Sequence, residues 1–377
     1  MIKRIIFGLV LCVVIAACSS SDDSGDNNNN GDGFNRTELL TNVADNIVIP
    51  AFQDLGAKLS AMDVARANFV NSQTQTNLDA LSAAWLEAYR VWQHVELFNI
   101  GLAETASNLA NDEGRGFVWY FNIYPVSASE IDGYAASGTY DLLDSLNDQG
   151  FPAFDYLIHG IATGDATALD KFTTNTNGAG YITYMTDVMS RMLSLNNQIL
   201  NDWQNTYRGQ FIATTENSQS GSFNKIANDF IFAYERGFRA QKIGIPAGVF
   251  SSNQIFPDKV EAFYKRDVSK ILALESLTAL ENFFVGRAYN GSTTGSSLRT
   301  YLQFLDSDDI ATAIQSQFSA VRSSINSLGN DFSSEIENNN TQVLATYEIM
   351  QAMVPLIKVD MRQALDFAID FQDSDGD

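Results

Sequence analysis

Apolar positions along most of this chain recur every three or four residues, a period that predicts helices rather than strands. Between Thr74 and Ile100, the residues Leu78, Leu81, Trp85, Ala88, Tyr89, Trp92 and Val95 fall on one stripe. Similar patterns predict helices over about residues 37–70, 180–207, 222–241, 308–328 and 340–370. Another runs from Pro257, suited to a first helical turn, to Gly286, suited to a stop. A shorter segment, QGFPAFDYLIHG (149–160), puts Phe154, Leu157 and Ile158 on one face in line with Ile161, and Pro152 in its first turn. No hairpin or βαβ pattern interrupts these runs. The expected fold class is therefore all-α, as two packed helical-bundle domains over residues 34–175 and 176–377. Glu96–Gly101 and Glu281–Gly286 both read E-x-F-x-x-G at the end of a long helix, which raises a pseudo-repeat.

Several polar residues sit awkwardly in this pattern. Glu96 falls inside the Trp85–Tyr89–Trp92 stripe, and Glu281 aligns with Phe263, Leu274 and Leu277. A buried carboxylate is costly unless something binds it. Asp155 lies beside the apolar face of its short helix, and two readings are open for it. One is a first-turn carboxylate stabilised by the helix dipole; the other is an oxygen ligand in a pocket. His159, four residues on, can touch Asp155; it reads as a helix-end histidine rather than a metal ligand, since a lone histidine rarely makes a site without companions. His94 projects away from the tryptophan stripe and reads as solvent-exposed. With only two histidines there is no HExxH. GSTTGSS (291–297) lacks the lysine of a phosphate loop, and no G-x-S-x-G occurs. ENNNT (337–341) reads as a loop. The terminal DFQDSDGD reads as a solvated acidic end, lacking the closing glutamate of a calcium loop.

The N-terminus changes the picture. Lys3 and Arg4 precede IIFGLVLCVVIAA, too short for a comfortable membrane span, and then comes Cys18. This resembles a bacterial lipobox, so the expectation is a signal peptide over 1–17, lipid on Cys18 and a flexible acidic linker over 18–33. The lipid on Cys18 would then hold the protein on a membrane of the cell envelope, the outer membrane. Asp22 and Asp23 are similar to a signal for its outer face, and a periplasmic orientation stays open. Cys12 would leave with the leader, so the folded part has no cysteine for disulfides, zinc or nucleophilic catalysis. A formal net charge of −22 argues against nucleic acid or anionic lipid as a partner.

AWLEAYRVWQHVELFNIG (84–101), FNIYPVSASEID (121–132), QGFPAFDYLIHG, KIGIPAGVF (242–250), KVEAFY (259–264) and the terminal DSDGD follow one another as in the imelysin family. The chain is similar to its lipoprotein subgroup from Bacteroidetes-like bacteria. That resemblance implies two helical domains with a site near their junction, an envelope location and, in several members, an association with iron acquisition. It also implies a founding proteolytic activity attributed to G-x-H-x-x-E. Here Gly150 fits the glycine, but Pro152 stands at the histidine position and Asp155 at the glutamate position. Proline can neither ligate a metal nor move a proton through its side chain. The expectation is thus a binding protein with no catalytic residue at this motif. Its pocket would contain Asp155 and Glu96, the two metal-ligand candidates, with Tyr124 and Lys242 as further members. Iron, or a haem-type or other iron-bearing ligand, suits such hard oxygen donors. An imelysin-type metallopeptidase and a structural, partner-docking lipoprotein are the alternatives.

Overall fold

The computed structural model describes residues 32–105, 116–252 and 254–368. The expected signal peptide, Cys18, nearly all of the linker and the terminal acidic segment lie outside the described residues. Among the described residues there is no strand, only one isolated bridge between Arg287 and Thr294. None of their helices is long and apolar enough to cross a membrane.

Helix α1 covers residues 36–71 and opens on Asn35, whose side chain accepts the Glu38 N–H at 3.1 Å. Its turns widen over Val43–Val48, just before Pro50. Pro50 has no N–H to give to the carbonyl of Asn46. The Tyr289 N–H takes that carbonyl instead, at 2.8 Å, pinning a distant loop to α1. Helix α2, Gln75–Val95, is capped by Thr74 and buries the whole predicted stripe from Leu78 to Val95. Then come α3 (Ala128–Ser137), α4 (Gly150–His159) and α5 (residues 178–213). Next is α6 (residues 222–244), whose wide-turn half is Ala233–Gly244. The rest are α7 (Ser269–Val285), α8 (Leu298–Phe304), α9 (Asp308–Ser327), α10 (Phe332–Gln351) and α11 (residues 353–365).

One group of helices forms around α2: α1 packs on α2 and α5, and α5 also packs on α3 and α4. A second group forms around α7, with α6, α8 and α9, and with α10 and α11 beyond them. The groups meet where α2 lies along α7. There Arg90 and His94 of α2 both reach Glu275 of α7, at 2.6 and 3.1 Å, and Phe98 packs edge-on against Phe283. The buried apolar residues of both groups, from Phe34 to Phe367, form one contiguous cluster. Both E-x-F-x-x-G segments end on a left-handed glycine, Gly101 at φ +64° and Gly286 at φ +68°.

Three local expectations need correction. The helix expected from Pro257 begins only at Ser269, because Pro257–Lys259 makes a single turn and the chain then coils tightly. Ala262 and Arg266 take φ of +59° and +69° in that coil. ENNNT is not a loop but part of α10, although Asn339 interrupts the helical geometry at φ −148° and ψ 45°. His94 is half-buried against Glu275 rather than exposed, because α7 covers the side of α2 opposite the tryptophan stripe.

Candidate functional site

Four segments converge beside the α2–α7 contact: the end of α2, residues 122–124, the wide-turn half of α6, and the coil at 260–266. Lys242 of α6 donates to Glu261 Oε2 at 2.6 Å and to Gln93 Oε1 at 2.8 Å. Gln93 and Asn122 each donate to Glu261 Oε1, at 3.0 and 2.9 Å. Tyr89 in turn donates to the Asn122 side-chain oxygen. All five side chains are buried, with every polar end spoken for, as a low-dielectric interior demands.

This network floors a cavity of about 360 Å³ whose wall includes Glu96, Tyr124, Trp119, Phe232 and Gly237. Glu96 is the residue that ends α2, so the last turn of the helix carries its carboxyl inward. Burial pushes that carboxyl up to about 7, with the Lys242 charge opposing and the Glu261 charge reinforcing. Tyr124 presents a buried hydroxyl that has no hydrogen-bond partner. Burial, then the charges of Glu261 and Glu96, hold that phenol well above its ordinary range, so it remains a donor. Leu97, Val118, Ile123 and Leu280 add apolar wall, and Asp229, Arg236 and Gln241 bring further polar side chains to it. A hollow of this size with a few convergent polar groups suits a small organic ligand.

Asp155 is elsewhere. It is 2% exposed, and its two oxygens accept the backbone N–H groups of Tyr264 and Lys265 at 2.8 and 2.9 Å. Oδ1 also receives His159 Nδ1 at 2.8 Å, the contact that their four-residue spacing anticipates. The residue lines a separate cavity of about 160 Å³ with Pro152 and Tyr264, and only Tyr124 belongs to both hollows. Of the expected pocket members, Glu96 and Tyr124 share the larger cavity, Lys242 lies beneath it, and Asp155 braces the coil that delivers Glu261. Among the described residues, no three His, Cys, Asp or Glu side chains gather as a metal site. Glu281, also expected to seek a partner, finds Arg322 at 2.8 Å.

Sequence reasoning missed Gln93, Asn122 and Glu261. Gln93 left a faint signal, an amide at the margin of a tryptophan-rich stripe. Glu261 left none, because its segment reads as helix while folding as a coil.

An all-α chain with two helix groups on one core and a carboxyl-bearing cavity at their contact defines the class of protein. The sequence matches the family model described as Imelysin over residues 48–358, and the chain belongs to that family. Its fold is similar to that of an iron-regulated protein A precursor from Parabacteroides distasonis. The TM-score is 0.70 at 15% identity, covering 92% of this chain and 98% of that one. It is also similar to an imelysin-like protein from Psychrobacter arcticum, with TM-score 0.66, 18% identity and coverage of 90% and 98%. No curated protein matches the sequence.

Proposed function

We propose that this chain is a lipid-anchored protein of the cell envelope that captures an iron-bearing organic ligand in the Glu96–Tyr124 cavity. One observation carries this reading: a hollow of about 360 Å³ with mixed apolar and polar walls holds a buried phenol donor without a partner beside a carboxyl raised toward neutrality. A buried polar group left unpaired costs about 1–3 kcal/mol, which a bound ligand oxygen would recover. The lipobox-like leader supports the anchor. The Parabacteroides relative, described as iron-regulated, supports iron as the context. Chelated iron fits better than the bare ion, because Asp155 already spends both oxygens on backbone N–H groups.

The same saturation of Asp155 speaks against a peptidase centred on the Gly150–Pro152–Asp155 segment. Titration of the protein with ferric ion, haem and ferric catecholate or hydroxamate chelates, followed by tryptophan fluorescence, tests the proposal. Binding of a chelate that weakens about tenfold or more in Tyr124→Phe and Glu96→Gln is the expected result. Equal affinity of wild type and both variants for every probe would sink it.

A further inference from the structure

On the far side of Asp155 lies another open pocket, of about 420 Å³, with Ser82 and His159 in its wall. Ser82 Oγ is 2.7 Å from His159 Nε2, and His159 Nδ1 is 2.8 Å from Asp155 Oδ1. We propose that Ser82, His159 and Asp155 form an acyl-transfer site: Ser82 the nucleophile, His159 the general base, Asp155 the positioning carboxylate. It is independent of the iron reading and uses a different pocket.

The hydrogen-bond directions follow from the chemistry of the partners. Both Asp155 oxygens accept backbone N–H groups, so the carboxylate acts as acceptor toward the ring. Nδ1 must then carry a proton, and in the neutral ring the Nε2 lone pair accepts from the Ser82 hydroxyl. That is the tautomer a serine nucleophile requires. The ring cannot turn freely, since it packs edge-on against Trp85 at 5.0 Å.

Ser82 also behaves unlike many helical hydroxyls among the described residues, although Ser324 likewise reaches across to Thr346 on a neighbouring helix. Ser60, Ser190, Thr278 and Ser319 each donate back to the carbonyl four residues earlier. That local bond is the usual choice within a helix. Ser82, in the middle of α2, points instead at a base on another helix.

The pocket wall selects the substrate class. Leu78, Ile158 and Ile161 offer an apolar surface for an acyl chain, and Lys265 is the one lysine or arginine among its described lining residues. Lys265 is half-buried and pairs at 2.9 Å with Asp267, which is exposed; so solvated an ion pair is weak, and the ammonium can turn toward charge developing on a carbonyl oxygen. With a single cation for that charge, a carboxylic ester with a short apolar acyl group is the fitting substrate. Ser82 Oγ bonds to the acyl carbon as its proton passes to Nε2. The C–O bond to the alcohol then breaks, and the alcohol leaves with that proton. Water attacks the acyl-serine, giving up a proton to Nε2. The acid departs, and the proton returns to Ser82.

A fluorophosphonate probe with peptide mapping, together with p-nitrophenyl butyrate hydrolysis, tests this on the full chain. The wild type should carry the probe on Ser82 and turn over the ester. Ser82→Ala should lose the adduct, and His159→Gln should lose it or slow its formation. Both should lower turnover by about 10²-fold or more, and Lys265→Met should lower it less. Melting curves separate lost chemistry from lost folding, and Ser82→Ala decides the matter if His159→Gln is unfolded. No adduct on Ser82 in the wild type, or turnover unchanged in Ser82→Ala, overturns the proposal.

Discussion

Lys242 and Glu261 form an ion pair of 2.6 Å in which neither side chain is more than 2% exposed. The pair joins α6 to the coil at 260–266, and Gln93 and Asn122 satisfy its remaining polar atoms. Breaking such a pair from one side strands a charge in the interior, which costs about 3–5 kcal/mol. Lys242→Met and Glu261→Gln should each lower stability by that order in denaturant unfolding. The double change Lys242→Met/Glu261→Gln should cost less than the sum of the two, because both charges then leave together. Additive losses would mean that the two residues do not act as a unit.

Glu96 makes the stability of the fold depend on pH. Its folded carboxyl sits at about 7, above its ordinary value of 4.5. The folded state therefore holds the proton more tightly than the unfolded chain does. The associated stability is complete below the unfolded value and fades as pH rises through about 7. Glu96→Gln imitates the protonated form and should abolish this component. Wild type and variant should differ least at about pH 4, with the wild type falling progressively behind by about pH 8. Urea midpoints across that range provide the check, and parallel curves would refute the shift.

The helices were legible because each buries one face, and burial of one face imposes the period seen in the sequence. Trp85, Tyr89 and Trp92 announce α2 in this way, and Glu96 announces itself by breaking the stripe. The coil at 260–266 was not legible. Its Val260 and Ala262 suit a helix, but the N–H groups of Tyr264 and Lys265 bond a carboxylate more than 100 residues earlier. Local sequence carries no trace of such a partner. For the same reason Asp155 could be recognised as a buried carboxylate needing partners, while the partners themselves could not. His159 was within reach, being one helical turn away. Ser82 lies on another helix and carries no motif.

Asp155→Ala tests its bracing role. The change leaves two backbone N–H groups without their acceptor, in a coil where Ala262 and Arg266 already hold positive φ. A loss of about 3 kcal/mol is expected, with faster hydrogen exchange at residues 260–266. His159→Ala removes one contact to the same carboxylate and leaves both backbone bonds in place, so exchange in the coil should change far less. Equal protection of the coil in wild type and Asp155→Ala would show that the carboxylate does not hold it.

Gly150 stands at the family glycine position, and its reason for being glycine is steric. It opens α4 at φ +73°, and a β-carbon built on it would lie 2.2 Å from the Phe121 carbonyl oxygen. An L side chain is strained by that backbone angle alone, at about 1–2 kcal/mol, and here it also meets backbone that cannot swing aside. Gly133 makes the matched control: it sits within α3, and a β-carbon there meets nothing within 4 Å. Gly133→Ala should raise stability by about 0.5–1 kcal/mol, since alanine loses less freedom than glycine in a helix. Gly150→Ala should lower it by at least about 2 kcal/mol and displace α4, which carries Asp155 and His159 together. Thermal unfolding of the two variants measures both signs. A neutral Gly150→Ala would mean that α4 can retreat from Phe121 without cost, and the tight seating of α4 against residues 118–121 would have to be abandoned.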